Sequence, residues 1–148
     1  CAGRSYYETI GGGSGATASG SGCSAVQVHM TNTRITDIEV IESRFPVLVE
    51  EFSVRRGSGG AGTHRGGDGI LRRIRFLEPG SVSLLANRRT VAPYGLNGGD
   101  PGARGQNAHY TRDGERRLLP SSCQLDVSVG ESIEILTPGG GGWGSKKS

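Results

Sequence analysis

The sequence contains few apolar and few aromatic residues. Hydrophobic residues make up 33% of the 148 residues and aromatic residues 5%, which leaves a thin core for the single domain that this length predicts. No apolar run approaches the roughly 20 residues that a membrane-spanning helix needs, so we expect no membrane partner. Because the chain starts at Cys1 and its single methionine is Met30, we expect it to be a piece of a longer polypeptide.

Cysteine and lysine are also scarce. The three cysteines are far apart and form no Cys-x-x-Cys pair, which argues against a disulfide framework or a zinc site and favours a reducing, cytoplasmic location. Of the 17 cationic residues, 15 are arginine, a residue suited to bidentate pairing with carboxylates or phosphates, although compositional bias of the lineage is an alternative explanation. A net charge of +3, with arginines not interleaved with aromatic residues, predicts no nucleic-acid partner.

Glycine, in contrast, is abundant and comes in bursts. The 27 glycines concentrate in five segments, 11–15, 57–62, 66–69, 98–102 and 139–144. Glycine permits close approach of main chains at an entropic cost, so we expect a neighbouring domain or subunit to order these loops. No burst is followed by the helix of a dinucleotide fingerprint or by the Gly-Lys-Ser/Thr of a P-loop. The sequence therefore predicts that this chain itself binds no nucleotide, other cofactor or metal.

The stretches between the glycine bursts alternate apolar and polar residues, as half-buried strands do. Such stretches begin at Ala25, Val47, Ile70, Ser81, Cys123 and Ser132. An Asp-Gly pair at 113–114 predicts a hairpin between NAHYT and RRLLP, and Gly130 predicts a similar turn between the last two strands. On the strand from Ile70, Arg73 and Arg75 should lie opposite the apolar face.

One helix is indicated between residues 36 and 44. Thr36 is placed to cap it, and Pro46 prevents its continuation. Ile38, Ile41 and Phe45 fall on one face and should pack on the sheet. We therefore predict a single mainly β domain over residues 1–148, a sandwich or irregular barrel with one short α-helix and long Gly-rich loops.

A dense polar cluster marks the place where the first predicted strand approaches the helix. Imidazole, amide, hydroxyl, guanidinium and carboxylate groups lie there within nine residues, on His29, Asn32, Thr33, Arg34 and Asp37. Together they could bind a carboxylate or amide substrate, with Arg34 as the carboxylate partner. Capping and turn bonding is the structural alternative.

Tyr6 and Glu8 precede the first glycine burst and form a second candidate site. They could line a cleft, and Glu8 is a possible acid or base; a structural role is again the alternative. No cysteine has an obvious base partner, and no Gly-x-Ser-x-Gly elbow is present. We therefore assign no catalytic residue and treat all seven residues as candidates for a substrate or interdomain surface.

Several long motifs, in order along the chain, resemble one family. The sequence is similar to the C-terminal end of hydantoinase B and of the homologous half of 5-oxoprolinase over nearly its whole length, in YYETIGGGSGA at 6–16, VHMTNTRITDIEVIESRFPV at 28–47, RRGSGGAG at 55–62, RGGDGILR at 65–72, NRR at 87–89, PYGLNGGDPGARG at 93–105 and TPGGGGWG at 137–144.

This resemblance implies that the chain is the C-terminal part of an ATP-dependent enzyme that opens cyclic amides, as in the conversion of 5-oxoproline to glutamate. It also implies ATP and a divalent metal for the parent enzyme, held by a hydantoinase A type half and by the upstream part of the B type half. Those two regions would be the partners of this chain in an oligomeric parent. The chain alone would be inactive, and a purely assembling role between the two halves is the alternative.

Overall fold

The computed structural model describes residues 4–28, 31 and 33–145. One helix and seven strands follow one another along the chain. They are α1 (Ile38–Arg44), β1 (Val47–Arg55), β2 (Gly69–Phe76), β3 (Gly80–Leu85), β4 (Gln106–Tyr110), β5 (Arg116–Leu119), β6 (Ser122–Val127) and β7 (Ser132–Leu136). The mainly β prediction with one short helix is confirmed, and the sheets do not close into a barrel.

The strands form one antiparallel sheet and a separate two-stranded ribbon. The sheet has the order β1-β2-β7-β4-β5, and the ribbon pairs β3 with β6. Phe52, Arg72, Ile135 and Asn107 lie in register across four neighbouring strands. Since side chains alternate across a sheet, these four share one face with Ile133, and we call it the inner face.

The outer face of the sheet carries ion pairs. Arg73 pairs with Glu134, Arg75 pairs with Glu50, and Arg116 reaches the second oxygen of Glu134 at 3.4 Å. Arg73 and Arg75 therefore lie opposite the apolar residues of β2, as the alternation predicts. Each of these arginines is compensated by a carboxylate.

Two strand predictions are wrong. Within the described part of the predicted strand at 25–30, Ala25 has a φ of 52°, a left-handed conformation that interrupts an extended chain. The segment forms only a bridge between Val26 and Gly12. The turn at Gly130 has the expected positive φ of 84°, but β6 and β7 belong to different sheets and do not form a hairpin.

The helix begins two residues later than its predicted cap. Asp37, not Thr36, is the N-cap, and its carboxylate accepts the Glu39 N–H at 2.9 Å. At the other end the Phe45 N–H donates to the Ile41 carbonyl, and Phe45 itself is already extended. Ile41 is buried, as the predicted apolar face requires.

The glycine bursts pack against one another inside this chain. We call segments 11–16, 57–69, 93–105 and 139–144 the glycine cluster. Gly140 donates its N–H to the Gly67 carbonyl at 2.9 Å and accepts from the Gly60 N–H at 2.8 Å, while Gly67 donates to Ser14 at 2.9 Å. A Cβ at Gly140 would overlap the Ser14 carbonyl oxygen. The expectation that a neighbouring domain orders these loops is wrong for these contacts, because each burst is held by another.

Candidate functional site

A deep cleft lies over the inner face of the sheet. Segment 4–12, strands β2 and β7 and the β3–β6 ribbon enclose a volume of about 1590 Å³. Segment 4–12 is held there by the bridge between Gly12 and Val26 and by the Gln27 side chain, which donates to the Thr9 carbonyl at 2.8 Å. The segment predicted as the first strand therefore holds segment 4–12 in the cleft wall through the contacts of Val26 and Gln27.

Tyr6, Glu8 and Arg72 form a polar cluster inside this cleft. Arg72 Nε lies 2.8 Å from Glu8 Oε1, and Arg72 Nη2 donates to Glu8 Oε2 at 3.4 Å. The Tyr6 hydroxyl donates to the same Oε2. Glu8 therefore bridges a phenol and a guanidinium, and the structure brings together two of the residues that the sequence singles out.

Burial makes the Arg72 guanidinium the dominant charge of the cleft. Its side chain is fully buried, whereas that of Glu8 is 10% exposed. Its carbon Cζ lies 5.0 Å from the centre of the Phe52 ring, a cation–π contact. Although Nε is within ion-pair distance of Glu8 Oε1, neither the Nε–H nor the Nη1 group makes a hydrogen bond of acceptable geometry to any described residue. Glu8 thus supplies the negative charge that an arginine buried in an apolar face requires.

Tyr6 acts as a hydrogen-bond donor in this cluster. Burial raises the pKa of the Tyr6 hydroxyl, and the bond to Glu8 raises it further, while the bond to Thr36 acts in the opposite direction. The phenol therefore keeps its proton at neutral pH. A protonated phenol beside a fixed ion pair is suited to binding and orienting a polar group.

Two further arginines, Arg89 in the cleft wall and Arg55 beside it, lie close to each other. Arg89 donates from Nε and Nη2 to Asn107 Oδ1 at 3.1 and 2.8 Å. Burial lowers the pKa of Arg89 to about 10, and the nearby Arg55 contributes to the same shift. Arg55 donates to the Arg104 carbonyl at 2.7 Å and to that of Thr137 at 3.2 Å. Within the part of the chain that the structure describes, the hydrogen-bond partners of these two guanidiniums are all neutral.

The described members of the polar cluster predicted at 29–37 do not line the cleft. Thr33, Arg34 and Asp37 are exposed, and among the described residues of segment 31–37 only Thr31 lines the cleft. Arg34 makes no hydrogen bond or ion pair with the described residues, and Asp37 serves as the helix cap. His29 and Asn32 lie outside the described residues.

Sequence reasoning missed Arg72, Arg89 and Asn107. A signal for Arg72 is present, because it falls between Ile70 and Ile74 on the apolar side of an alternating strand. Arginine at such a position requires a carboxylate partner. The place of Asn107 beside Ile135 of β7 is seen only in the structure.

The other titratable groups do not form a catalytic arrangement. His109 pairs with Glu131 at 3.0 Å. Cys23 and Cys123 are free thiols. Within residues 4–28, 31 and 33–145, no three His, Cys, Asp or Glu side chains are grouped to hold a metal ion. The described residues also contain no helix with the length and apolar character that crossing a bilayer requires.

An antiparallel sheet, a two-stranded ribbon and a cluster of glycine-rich segments define a mainly β domain. The family model described as hydantoinase B/oxoprolinase matches residues 2–146. The chain belongs to this family, as the resemblance of its motifs predicts.

Named relatives agree with this assignment. 5-Oxoprolinase 1 of Arabidopsis thaliana is 54% identical over 140 residues, which are 95% of this chain and 11% of that protein. A 5-oxoprolinase of Dictyostelium discoideum is 52% identical over 97% of this chain and 11% of its own length. The chain thus spans about a tenth of these relatives. The crystal structure of an ATP-dependent caprolactamase from Pseudomonas jessenii superposes with a TM-score of 0.79 at 26% identity, covering 92% of this chain and 24% of the other.

Proposed function

We propose that this chain is the C-terminal portion of a larger ATP-dependent enzyme that opens cyclic amides, of the type that converts 5-oxoproline to glutamate. The observation that carries the proposal is the 54% identity to 5-oxoprolinase 1 over 95% of this chain. A caprolactamase with the same fold acts on another cyclic amide, as its name states. The ring that the parent opens is therefore a lactam or a related cyclic amide.

The contribution of this chain is a binding surface and not a reacting group. The Tyr6–Glu8–Arg72 cluster offers a protonated phenol and a fixed charge pair in a cleft. Such groups bind and orient a carboxylate or amide. We infer that the cleft contributes to the substrate or interdomain surface of the parent, and that Arg34, Thr33, Asp37, His29 and Asn32 belong to the same surface.

The cofactors and partners of the parent follow from the same proposal. ATP and a divalent metal would be held by a hydantoinase A type half and by the upstream part of the B type half. The described residues of this chain do not fit either group, since they include no metal-binding cluster and the glycine bursts pack on one another. The chain alone is then inactive, and the parent is a cytoplasmic oligomer with neither membrane nor nucleic-acid partner.

Substitution of Glu8 in the complete enzyme tests the binding role. Glu8→Gln removes the negative charge from the cluster, so we expect the Michaelis constant for 5-oxoproline to change at least about tenfold while the two halves remain assembled. Arg112→Gln, an exposed change at the β4–β5 turn, is the matched control. Unchanged kinetics in Glu8→Gln with intact folding would contradict the proposal, and so would a complete enzyme that does not hydrolyse any cyclic amide.

A second candidate function is assembly of the A and B type halves without substrate contact. The exposed Arg34, which has no partner within the described residues, favours it. Arg34→Ala should then dissociate the halves in size-exclusion chromatography. A raised Michaelis constant in an intact assembly would support substrate contact instead.

A further inference from the structure

Arg55 and Arg89 both contact the peptide that joins Arg104 to Gly105. Arg55 Nη1 donates to the carbonyl oxygen of Arg104, and the guanidinium of Arg89 lies directly against Gly105, where a Cβ would overlap it. Nε and Nη2 of Arg89 both donate to Asn107 Oδ1, which fixes the orientation of the Arg89 guanidinium. Both guanidiniums are therefore held against the Arg104–Gly105 peptide.

Neither guanidinium has a charged partner among the described residues. The partners of Arg89 are Asn107 Oδ1 and the Asn87 carbonyl at 2.8 Å, and those of Arg55 are two carbonyls. Six other arginines of the described chain pair with carboxylates, at positions 65, 72, 73, 75, 116 and 117. Half-buried charges without a counter-ion are costly to hold close together.

The electrostatics of the pair agree with this geometry. Burial and the charge of Arg55 lower the pKa of Arg89, and burial lowers that of Arg55. An anion bound between them would remove both effects, because an opposite charge favours the protonated guanidinium.

Hydrogen-bond donors remain for such an anion. A guanidinium has five N–H groups. Arg89 uses three of them in the contacts to Asn107 and Asn87, and both hydrogen bonds that Arg55 makes to described residues come from Nη1. Nε and Nη2 of Arg55 have no partner among the described residues. Asn87, Arg89, Asn107 and Thr137 line the cleft, so an anion in the cleft can reach Arg89, and Arg55 lies beside this wall through its hydrogen bond to the Thr137 carbonyl.

We propose that Arg55 and Arg89 form a binding site for a phosphate-type dianion at this end of the cleft. Two uncompensated positive charges match the charge of hydrogen phosphate or of a phosphomonoester at neutral pH, whereas a monocarboxylate neutralises one of them. Several N–H donors suit the three or more oxygens of such a group. The site needs neither nucleotide nor lactam, and it extends beyond the proposed ring-opening function.

Calorimetry on the complete natural polypeptide that contains these residues tests the site. Inorganic phosphate, glycerol 3-phosphate and acetate are titrated at constant ionic strength. We expect one binding event for inorganic phosphate or the ester that weakens at least about tenfold in Arg89→Gln and in Arg55→Gln, since each loses a charge-assisted hydrogen bond. Arg112→Gln makes the same charge change at the exposed β4–β5 turn and should leave it unaltered.

Three results would overturn the proposal. One is equal phosphate affinity in wild type and both variants. The second is acetate that binds as tightly as phosphate, and the third is an absence of phosphate binding at the constant ionic strength of the titration. Crystals of the wild-type protein soaked in tungstate provide a readout that does not depend on the variants folding. Tungsten density between the two guanidiniums is expected, and density elsewhere only would refute the site. Loss of ring-opening activity does not bear on these outcomes.

Discussion

Asp68 shows how a single buried carboxylate organises the glycine cluster. One of its oxygens accepts the Gly59 N–H at 2.8 Å and the Arg65 guanidinium at 2.7 Å. Its own N–H donates to the Ser24 hydroxyl at 2.8 Å. Asp68 thereby ties both ends of the loop 59–65 to Ser24, which makes it a sensitive point for stability.

The stability of the protein should depend on pH through Asp68. Burial alone would raise the pKa of its carboxyl, but the Gly59 N–H and the Arg65 guanidinium outweigh it, so the pKa is lowered. A lowered pKa gives stabilisation above the unfolded value near 4 that is lost as the pH falls through the folded pKa. We therefore expect Asp68→Asn to be less stable than wild type at pH 7, with the difference shrinking below about pH 4.

Urea denaturation at a series of pH values measures this difference. Asp126→Asn, an exposed carboxylate on β6, is the matched control and should follow the wild-type curve. A difference for Asp68→Asn that stays constant from pH 7 to pH 3 would mean that the carboxylate is not linked to folding in this way.

The Glu8–Arg72 pair predicts a rescue by double substitution. Glu8→Gln leaves the buried Arg72 without a negative partner, so we expect a loss of about 3 kcal/mol in the free energy of unfolding. Adding Arg72→Leu removes the unpaired charge and should restore part of that loss. Glu115→Gln, which breaks the exposed pair with Arg117, should have no measurable effect. Denaturant titration checks the series, and a double variant less stable than Glu8→Gln alone would contradict the account.

At the residue scale, the sequence indicates Tyr6 and Glu8 as candidate site residues but does not indicate the arginine that pairs with Glu8. Glu8 and Tyr6 are predicted as cleft residues because of their chemistry. The partner of Glu8 could not be predicted, since 64 residues separate it from Arg72 and the contact depends on the path of segment 4–12. Periodicity places Arg72 on the inner face but does not identify its carboxylate.

At the scale of elements, strands are predicted correctly where apolar and polar side chains alternate along the chain. Polar and apolar residues alternate from 51 to 55 in β1, from 73 to 76 in β2 and from 132 to 135 in β7, and the existence of these strands follows from that pattern. The segment at Ala25 has the same alternation but a left-handed residue at its start, a feature that local preference disfavours for alanine. The glycine cluster cannot be predicted by period at all, because main-chain groups and not side chains make its contacts.

The glycine cluster predicts a sharp contrast between two alanine substitutions. At Gly140 a methyl group would overlap the Ser14 carbonyl, whereas at Gly20 no atom lies within 4 Å. Backbone cannot move aside as a side chain does, so we expect Gly140→Ala to lose about 2 to 3 kcal/mol of unfolding free energy. Gly20→Ala should remain within about 0.5 kcal/mol of wild type. Thermal and urea denaturation compare them, and equal stability of the two variants would show that the cluster tolerates side chains.

At the scale of the whole molecule, the sheet and the ribbon differ in how they are supported. β7 is central, with β2 on one side and β4 on the other, and Ser132, Ile133 and Glu134 are buried. The ribbon strands pair only with each other, and the cleft separates them from the inner face. Leu85, at the end of β3, is 92% exposed. The ribbon thus has fewer contacts to lose when it opens.

Hydrogen exchange should resolve this difference as two classes of amide. Local opening requires less free energy where few apolar contacts and one partner strand must be broken. We therefore expect amides of β3 and β6 to exchange at least about tenfold faster than those of β7, under conditions where the whole chain stays folded. Exchange detected by mass spectrometry on peptides covering 80–85, 122–127 and 132–136 measures the ratio. Equal protection in the three peptides would show that the ribbon and the sheet open as one cooperative unit, and the cleft between them would then be a rigid part of the fold.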